Sequence, residues 1–305
     1  MAMLFTSRGI VNLVNLWLDL RIRGRGVAHR PCVGGGKHSL PAHGGPILFT
    51  CDARSQGTHD SAPQPRKVVL FDDTYANYME PRVGLSAVEL LEGCGYEVVI
   101  ANAGCCQRPR LSKGLVRDAK RHGTKTMAKL DVYAREGLPI LCLEPSCASA
   151  LADDLPDLMD DEAMGQRVAA CVRMIDGFLE AEVAAGYIPP LACEPGTYAL
   201  HGHCHQKAAF GTEAIHSHFA RSTEASCEEV DSGCCGMAGS FGYENYELSQ
   251  QVGEERLFPA VRTAVADGKT ILACGISCRH QLKDMLAVRA RHWVEVVRAG
   301  VGTGK

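Results

Sequence analysis

Three stretches of this 305-residue chain concentrate cysteine and histidine: HGHCHQKA around Cys204, DSGCCGMAGSFGY around Cys234 and Cys235, and ACGISCRHQ around Cys278. Thiolates bind soft metals, and four of them with N–H donors nearby suit an iron–sulfur cluster, whose potential hydrogen bonds to sulfur would tune. Gly233, Gly236 and Gly239 let the middle stretch turn tightly and approach a bulky group. His201, His203 and His205 alternate around Cys204, and His280 follows Cys278. Such imidazoles ligate metal, relay protons or orient a loop. The expected ligands are therefore Cys204, Cys234, Cys235 and Cys278, with Gly233, Gly236, His203 and His205 lining the site. Lys207 and Arg279 are placed to offset the negative charge of thiolates, or else lie in solvent.

An earlier part of the chain carries a thinner version. Cys105 and Cys106 form a doublet in CCQRPR, and Cys147 stands in LEPSC. The segment matching that of Cys204 reads FDDTYANY and has no cysteine, and Glu144 precedes Cys147 by three residues. These three thiols either form a second metal site, completed by Glu144 or an outside ligand, or play a structural part. Cys94, Cys142, Cys171 and Cys193 lie in apolar segments and read as small buried hydrophobes. Cys32, Cys51 and Cys227 read as incidental. Cys274 ends a strand and points away from the face of its neighbour Gly275.

Fifteen cysteines in 305 residues are too few for a small disulfide scaffold, and an odd count with no export signal argues against a disulfide framework. The expectation is a reduced, cytoplasmic protein, free or peripheral at the inner face of a membrane. A hydrophobic fraction of 46% supports a sizeable core, and a net charge of −3 leaves no footprint for nucleic acid. No run of about 18 apolar residues could span a bilayer.

Such a site must be held by a scaffold, and the chain supplies one. Residues 1–65 are rich in Gly and Arg and read as a tail or linker remnant, with one short helix over 10–20. From Lys67 onward, strands at 68–71, 96–101 and 139–144 alternate with helices at 83–93, 111–137, 146–155 and 162–184. The scheme repeats with strands at 197–202, 227–231 and 270–275 and helices at 205–221 and 244–262, the remainder being helical. The doublets stand 129 residues apart (105 to 234) and the single cysteines 131 apart (147 to 278). The expected fold is α/β: two duplicated lobes, 66–190 and 191–305, with parallel-rich sheets flanked by helices and related by a pseudo-twofold axis. Carboxyl ends of parallel strands face a common crevice, and the following helices direct free N–H groups into it. That field is expected to favour thiolates.

The motifs resemble a known family. DDTYANYMEP, CCQRPRLSKGL, LEPSC, LHGHCHQKA, DSGCCGMAGSFGYE and SCRHQ are similar to the cysteine-rich, Cys-Cys-Gly domain that ends FAD-linked oxidases of the D-lactate dehydrogenase type. The same domain occurs in the iron–sulfur subunits of glycolate oxidase, lactate-utilisation complexes, anaerobic glycerol-3-phosphate dehydrogenase and heterodisulfide reductase. The likeness covers about residues 66–300. It implies electron transfer from a reduced flavin through 4Fe-4S centres, cubane or non-cubane, to a quinone or another acceptor. It also implies ligation by Cys204, Cys234, Cys235 and Cys278, with Cys105, Cys106 and Cys147 at the matching earlier positions. Gly275 and Glu144 replace the first cysteine of a C-x-x-C in each half. The FAD domain and the ferredoxin-like motif of such oxidases have no counterpart in the sequence, so FAD is expected on a partner oxidase or on a missing upstream domain. Two other readings compete: a structural zinc held by Cys and His, and a thiol–disulfide centre at Cys234 and Cys235.

Overall fold

A computed structural model describes residues 66–300, so the tail at 1–65, its expected helix, Cys32 and Cys51 lie outside the described residues. Nine strands are defined: β1 (Arg66–Leu70), β2 (Tyr96–Ile100), β3 (Ile140–Cys142), β4 (Val172–Met174), β5 (Ala192–Cys193), β6 (Gly196–His201), β7 (Ala225–Glu229), β8 (Thr270–Ala273) and β9 (Val297–Arg298). They form a four-stranded sheet ordered β2-β1-β3-β4, a three-stranded sheet ordered β7-β6-β8, and a β5-β9 ribbon. Every pairing in the two larger sheets is parallel, and the ribbon is antiparallel. The order β2-β1-β3 thus recurs as β7-β6-β8. A lone parallel bridge from Leu272 to Arg291 lies beside β8 as β4 lies beside β3.

Alternation along the strands explains how the sheets are buried on both faces. Val68 and Leu70 of β1, Leu141 beside them in β3, Tyr198 and Leu200 of β6 and Leu272 of β8 enter one shared core. The helices Pro81–Gly93, Ile175–Ala184 and Glu213–Ala220, together with the fully buried Trp293, complete it. Val69, Phe71, Ile140 and Cys142 face a second core on the other side of the first sheet. Ala199, Ile271 and Ala273 face a third.

Several expected elements are redrawn. The long helix at 111–137 is two, Arg108–Ser112 and Val116–Arg135, parted at Gly114 with φ +69°. The stretch at 146–155 contains a π-helical turn, Ala150–Asp154. The expected helix at 162–184 is interrupted by β4, whose Val172 and Met174 are buried against the second core. Cys171 is therefore the last residue of a helix at the amino end of β4, not a mid-helix residue. The helix at 205–221 breaks at Gly211, and 244–262 divides into Tyr246–Glu255 and part of Leu257–Ala266. After the helix Ile276–Leu286 the chain is not helical throughout, but forms a 3-10 turn at Trp293–Glu295 and then β9. Among the described residues no helix is long and apolar enough to cross a membrane.

Candidate metal centre

All seven expected thiols stand just past the carboxyl ends of parallel strands. Cys105 and Cys106 follow β2, Cys147 follows β3, Cys204 follows β6, Cys234 and Cys235 follow β7, and Cys278 follows β8. Six of them, all except the buried Cys278, line one cavity of about 490 Å³. Tyr75, Arg108, Glu144, His203, His205 and Phe241 share its walls. The crevice is thus common to both sheets, which repeats and strand order alone do not reveal.

The two doublets are built alike. The residue after each has a left-handed backbone, Gln107 at φ +66° and Gly236 at φ +90°. In that conformation the next amide turns back onto the first sulfur: Gln107 N donates to Cys105 Sγ at 3.4 Å and Gly236 N to Cys234 Sγ at 3.3 Å. A Cβ on Gly236 would lie 2.2 Å from Ser249 O, so only glycine fits there. Gly233 differs from the expectation. Its φ is not left-handed and a Cβ would meet nothing closer than 3.9 Å, so its backbone does not require glycine.

The short helices after β1 and β6 also correspond. Asp73 caps Thr74–Tyr78 by accepting from the amides of Tyr75 and Ala76 at 2.9 and 3.0 Å. His203 caps Cys204–Ala209 through Nδ1, which accepts from the His205 amide at 3.1 Å. The first helical residue is Thr74 in one case and Cys204 in the other, and both line the cavity.

In the second half the thiols form a row, Cys204–Cys234–Cys235–Cys278, each within hydrogen-bonding reach of the next. Donation from Cys204 and Cys235, helped by the Gly236 amide and His201, holds the Cys234 thiol well below its ordinary pKa despite burial. Donation from Cys235, with His201 and His203 nearby, does the same for Cys278. Cys204 and Cys235 are correspondingly pushed up by the neighbours they donate to and by burial. The shifts alternate in direction along the row, lowered at Cys234 and Cys278 and raised at Cys204 and Cys235, because adjacent negative charges repel.

The first half is different. Cys106 Sγ and Cys147 Sγ are 2.9 Å apart and buried. Donation from Cys106 favours the Cys147 thiolate, but burial and the carboxylates of Asp73 and Glu144 outweigh it and push the thiol up to about 12. Cys105 is pushed up by its bond to Cys106 and by burial, and Cys106 is raised as well. The expected lowering of thiol pKa values in the crevice is seen at Cys234 and Cys278 but not at Cys204 and Cys235, where hydrogen bonds to neighbouring thiols and burial win.

Glu144 is spoken for. Its Oε1 accepts from Ser146 Oγ at 2.7 Å and its Oε2 from the buried Ile276 amide at 2.9 Å, at the start of the helix that carries Cys278. Arg279 is not a surface charge: it is buried, paired with Glu80 and bonded to the carbonyls of Ala273 and Cys274. Lys207 pairs with Glu229 at 2.9 Å. His205 Nδ1 meets Ser149 Oγ at 2.8 Å, and His201 Nδ1 meets Ser232 Oγ at 2.7 Å. His280 lies 3.8 Å from Glu80 and does not line the cavity. Cys274 joins the shared core, as its strand position implies.

Cavity residues that sequence reasoning missed include Thr74, Tyr75, Arg108 and Phe241. Burial, and after it the charges of Glu144 and the first-half thiols, pushes the Tyr75 phenol up to about 12. Arg108 pairs with Asp154 and donates to Ser146 O at 3.2 Å and Ser149 Oγ at 2.6 Å. Thr74 and Tyr75 occupy the places of Cys204 and His205 in FDDTYANY, which was the available signal; Arg108 stands two residues past its doublet.

Thirteen cysteines lie among the described residues and none is in a disulfide. Among those residues no three His, Cys, Asp or Glu side chains converge on the position of a single ion. The four thiols form one connected row, three of them at the cavity. Amide N–H groups of Gln107 and Gly236 and the His201 imidazole lie beside the sulfurs, where such donors would tune the potential of an iron–sulfur centre.

No family model matches the chain. It is 24% identical over 230 residues to a subunit of the anaerobic glycerol-3-phosphate dehydrogenase of Escherichia coli (strain K12), covering 74% of this chain and 57% of that protein. It is 26% identical over 236 residues to D-2-hydroxyglutarate dehydrogenase of the same strain, covering 76% of this chain and 22% of the relative. It is 26% identical over 203 residues to lactate utilization protein A of Bacillus cereus (strain AH187), covering 65% and 83%. The resemblance carried by the cysteine motifs is borne out: the chain is similar to proteins of glycerol-3-phosphate, 2-hydroxy-acid and lactate metabolism. It spans little more than half the length of the glycerol-3-phosphate dehydrogenase relatives.

Proposed function

We propose that this chain is an iron–sulfur electron-transfer module that takes electrons from a flavin 2-hydroxy-acid dehydrogenase, of D-lactate or glycolate type, and passes them to a quinone or another acceptor. The carrying observation is the row Cys204–Cys234–Cys235–Cys278, three of whose thiols line the cavity while Cys278 lies buried behind them, with the pKa values of Cys234 and Cys278 lowered by their neighbours. Likeness to the glycerol-3-phosphate dehydrogenase subunit and to D-2-hydroxyglutarate dehydrogenase supports it. The flavin belongs to a partner chain or to a further domain. The proposal includes the two-lobe division near residue 190, a pseudo-twofold relation between the lobes, and 4Fe-4S as the cluster type. It also places the module in the cytoplasm or at the inner face of the membrane.

Mechanistically, a bound cluster would supply one-electron storage between a two-electron donor and the acceptor. Cys204, Cys234, Cys235 and Cys278 would hold it, and ligation would release the protons that Cys204 and Cys235 retain. The Gly236 amide would donate to the Cys234 sulfur and favour added negative charge. Phe241, Ile276 and Pro109 add apolar surface to the cavity wall. Cys105, Cys106 and Cys147 would hold a second centre across the cavity.

The test is anaerobic. The purified chain should show a visible absorption that bleaches when a flavin D-2-hydroxy-acid dehydrogenase and its substrate are added, and that recovers on adding a quinone. Absence of any visible chromophore in anaerobically purified protein would contradict the proposal.

A further inference from the structure

Beside the thiol cavity lies a second, far smaller pocket of about 10 Å³, room for one water. Tyr75 and Glu144 stand in the walls of both. Asp73, Glu80, Arg279 and His292 also line the smaller one. Arg279 is paired with Glu80, and burial holds the His292 imidazole uncharged, down at about 3. That leaves the carboxyls of Asp73 and Glu144, 2% and 4% exposed, with no cation of their own among the described residues. Two carboxylates in one desolvated pocket repel, so one of them keeps a proton.

The hydrogen bonds decide which. Both Glu144 oxygens accept, from Ser146 Oγ at 2.7 Å and from the Ile276 amide at 2.9 Å, and so favour the ion. Asp73 Oδ1 accepts the amides of Tyr75 and Ala76, but its Oδ2 has no hydrogen-bond partner among the described residues. The proton therefore belongs on Oδ2. Burial, and after it the Glu144 charge, pushes this carboxyl up to about 7, so the proton exchanges near neutral pH. The Asp73 charge is felt at Cys142 and Cys147, whose thiols it helps to push up. Such coupling is reciprocal: negative charge arriving at Cys147 tightens the hold of Asp73 on its proton.

Resting on the iron–sulfur reading above, we infer that Asp73 takes up a proton when an electron from the flavin partner reaches the first-half centre, and so offsets the added charge. One electron goes to the centre beside Cys147, and up to one proton goes from solvent to Oδ2. Glu80, whose side chain is 25% exposed, is the pocket's contact with solvent.

The test compares wild type with Asp73→Asn and Asp73→Ser, which keep an acceptor for the helix cap but do not titrate. Denaturation of the metal-free chains reads the proton. The unfolded carboxyl titrates near 3.9 and the folded one near 7, so between those values only the folded chain holds the proton. The stability this contributes is full below about pH 4 and is lost as pH rises to about 7. Wild type should lose stability over that range relative to both variants, and parallel curves would overturn the proton on Asp73. Potentiometry of the anaerobically purified chains reads the coupling, in the redox component that Cys147→Ser removes. Reduction of wild type should weaken as pH rises above about 7, by up to tenfold per unit for one proton per electron. In Asp73→Asn it should be nearly flat. Equal pH dependence in the two, or no component lost in Cys147→Ser, would overturn the coupling. Wild type without iron would overturn the parent reading and the coupling together, while the denaturation result on Asp73 would stand.

Discussion

The Glu144 carboxylate accepts the buried amide of Ile276 at 2.9 Å, across 132 residues of sequence, and so ties the loop before Cys147 to the helix that carries Cys278. Burial, followed by this carboxylate's charge, pushes the neighbouring Asp73 carboxyl up to about 7. Both halves of the cavity thus depend on one side chain.

Glu144→Ala should therefore destabilise the chain by about 1–3 kcal/mol, because it leaves the Ile276 amide and the Ser146 hydroxyl without their acceptor. Glu144→Gln keeps an acceptor and should lose less. Chemical denaturation of the metal-free protein measures both, and equal loss in the two variants would show that the carboxylate's charge, rather than the hydrogen bond, matters.

Gly236→Ala should be worse than its single methyl suggests. The residue has φ +90°, and the new Cβ would lie 2.2 Å from Ser249 O, a backbone atom that cannot swing aside. Strain and clash together amount to about 2 kcal/mol or more. Gly233→Ala, which meets no such contact, is the control and should be close to wild type in a melting experiment.

Acid sensitivity should centre on His292. Full burial, with the Arg279 charge adding to it, holds the imidazole down at about 3, whereas an unfolded histidine titrates near 6.5. The unfolded chain therefore binds a proton first as pH falls. Stability is full above about pH 6.5 and declines toward pH 3, by about 3 kcal/mol at pH 4 from this group. His292→Asn keeps an acceptor for the Val294 amide but does not titrate. Denaturation midpoints followed from pH 7 to pH 4 should fall more steeply for wild type, and parallel curves would reject the assignment.

The strands that are short apolar runs, such as 68–71 and 139–144, were legible in the sequence, and so was the place of every candidate thiol at a strand's carboxyl end. Legibility failed where local pattern and tertiary role diverge. Val172–Met174 continues a helical apolar spacing, and only pairing with Ile140–Cys142 makes it a strand. Strands β5 and β9 are two residues long and have no pattern to read. The proximity of the two cysteine sets across one cavity, and the reach of Glu144 from one to the other, depend on how the sheets pack. Thiolate preference failed at Cys204 and Cys235 for the same reason: helix ends are legible in sequence, but the hydrogen bonds between neighbouring thiols are not.

Cys147 separates the roles of the two halves. If Cys105, Cys106 and Cys147 hold a second centre, Cys147→Ser should lower iron per chain by about the same amount as Cys278→Ser. An unchanged iron content in Cys147→Ser, with wild-type stability, would make the first half a scaffold.

The most direct measurement is iron and acid-labile sulfide per chain in anaerobically purified wild type, Cys278→Ser and Cys171→Ser. A serine hydroxyl is a far poorer iron ligand than a thiolate, whereas Cys171 only packs beside the second core, its Sγ 3.9 Å from Ala134 O. The account predicts iron and sulfide together in wild type and Cys171→Ser and a large loss of both in Cys278→Ser. Wild type devoid of iron and sulfide, or Cys278→Ser retaining the full amount, would contradict it.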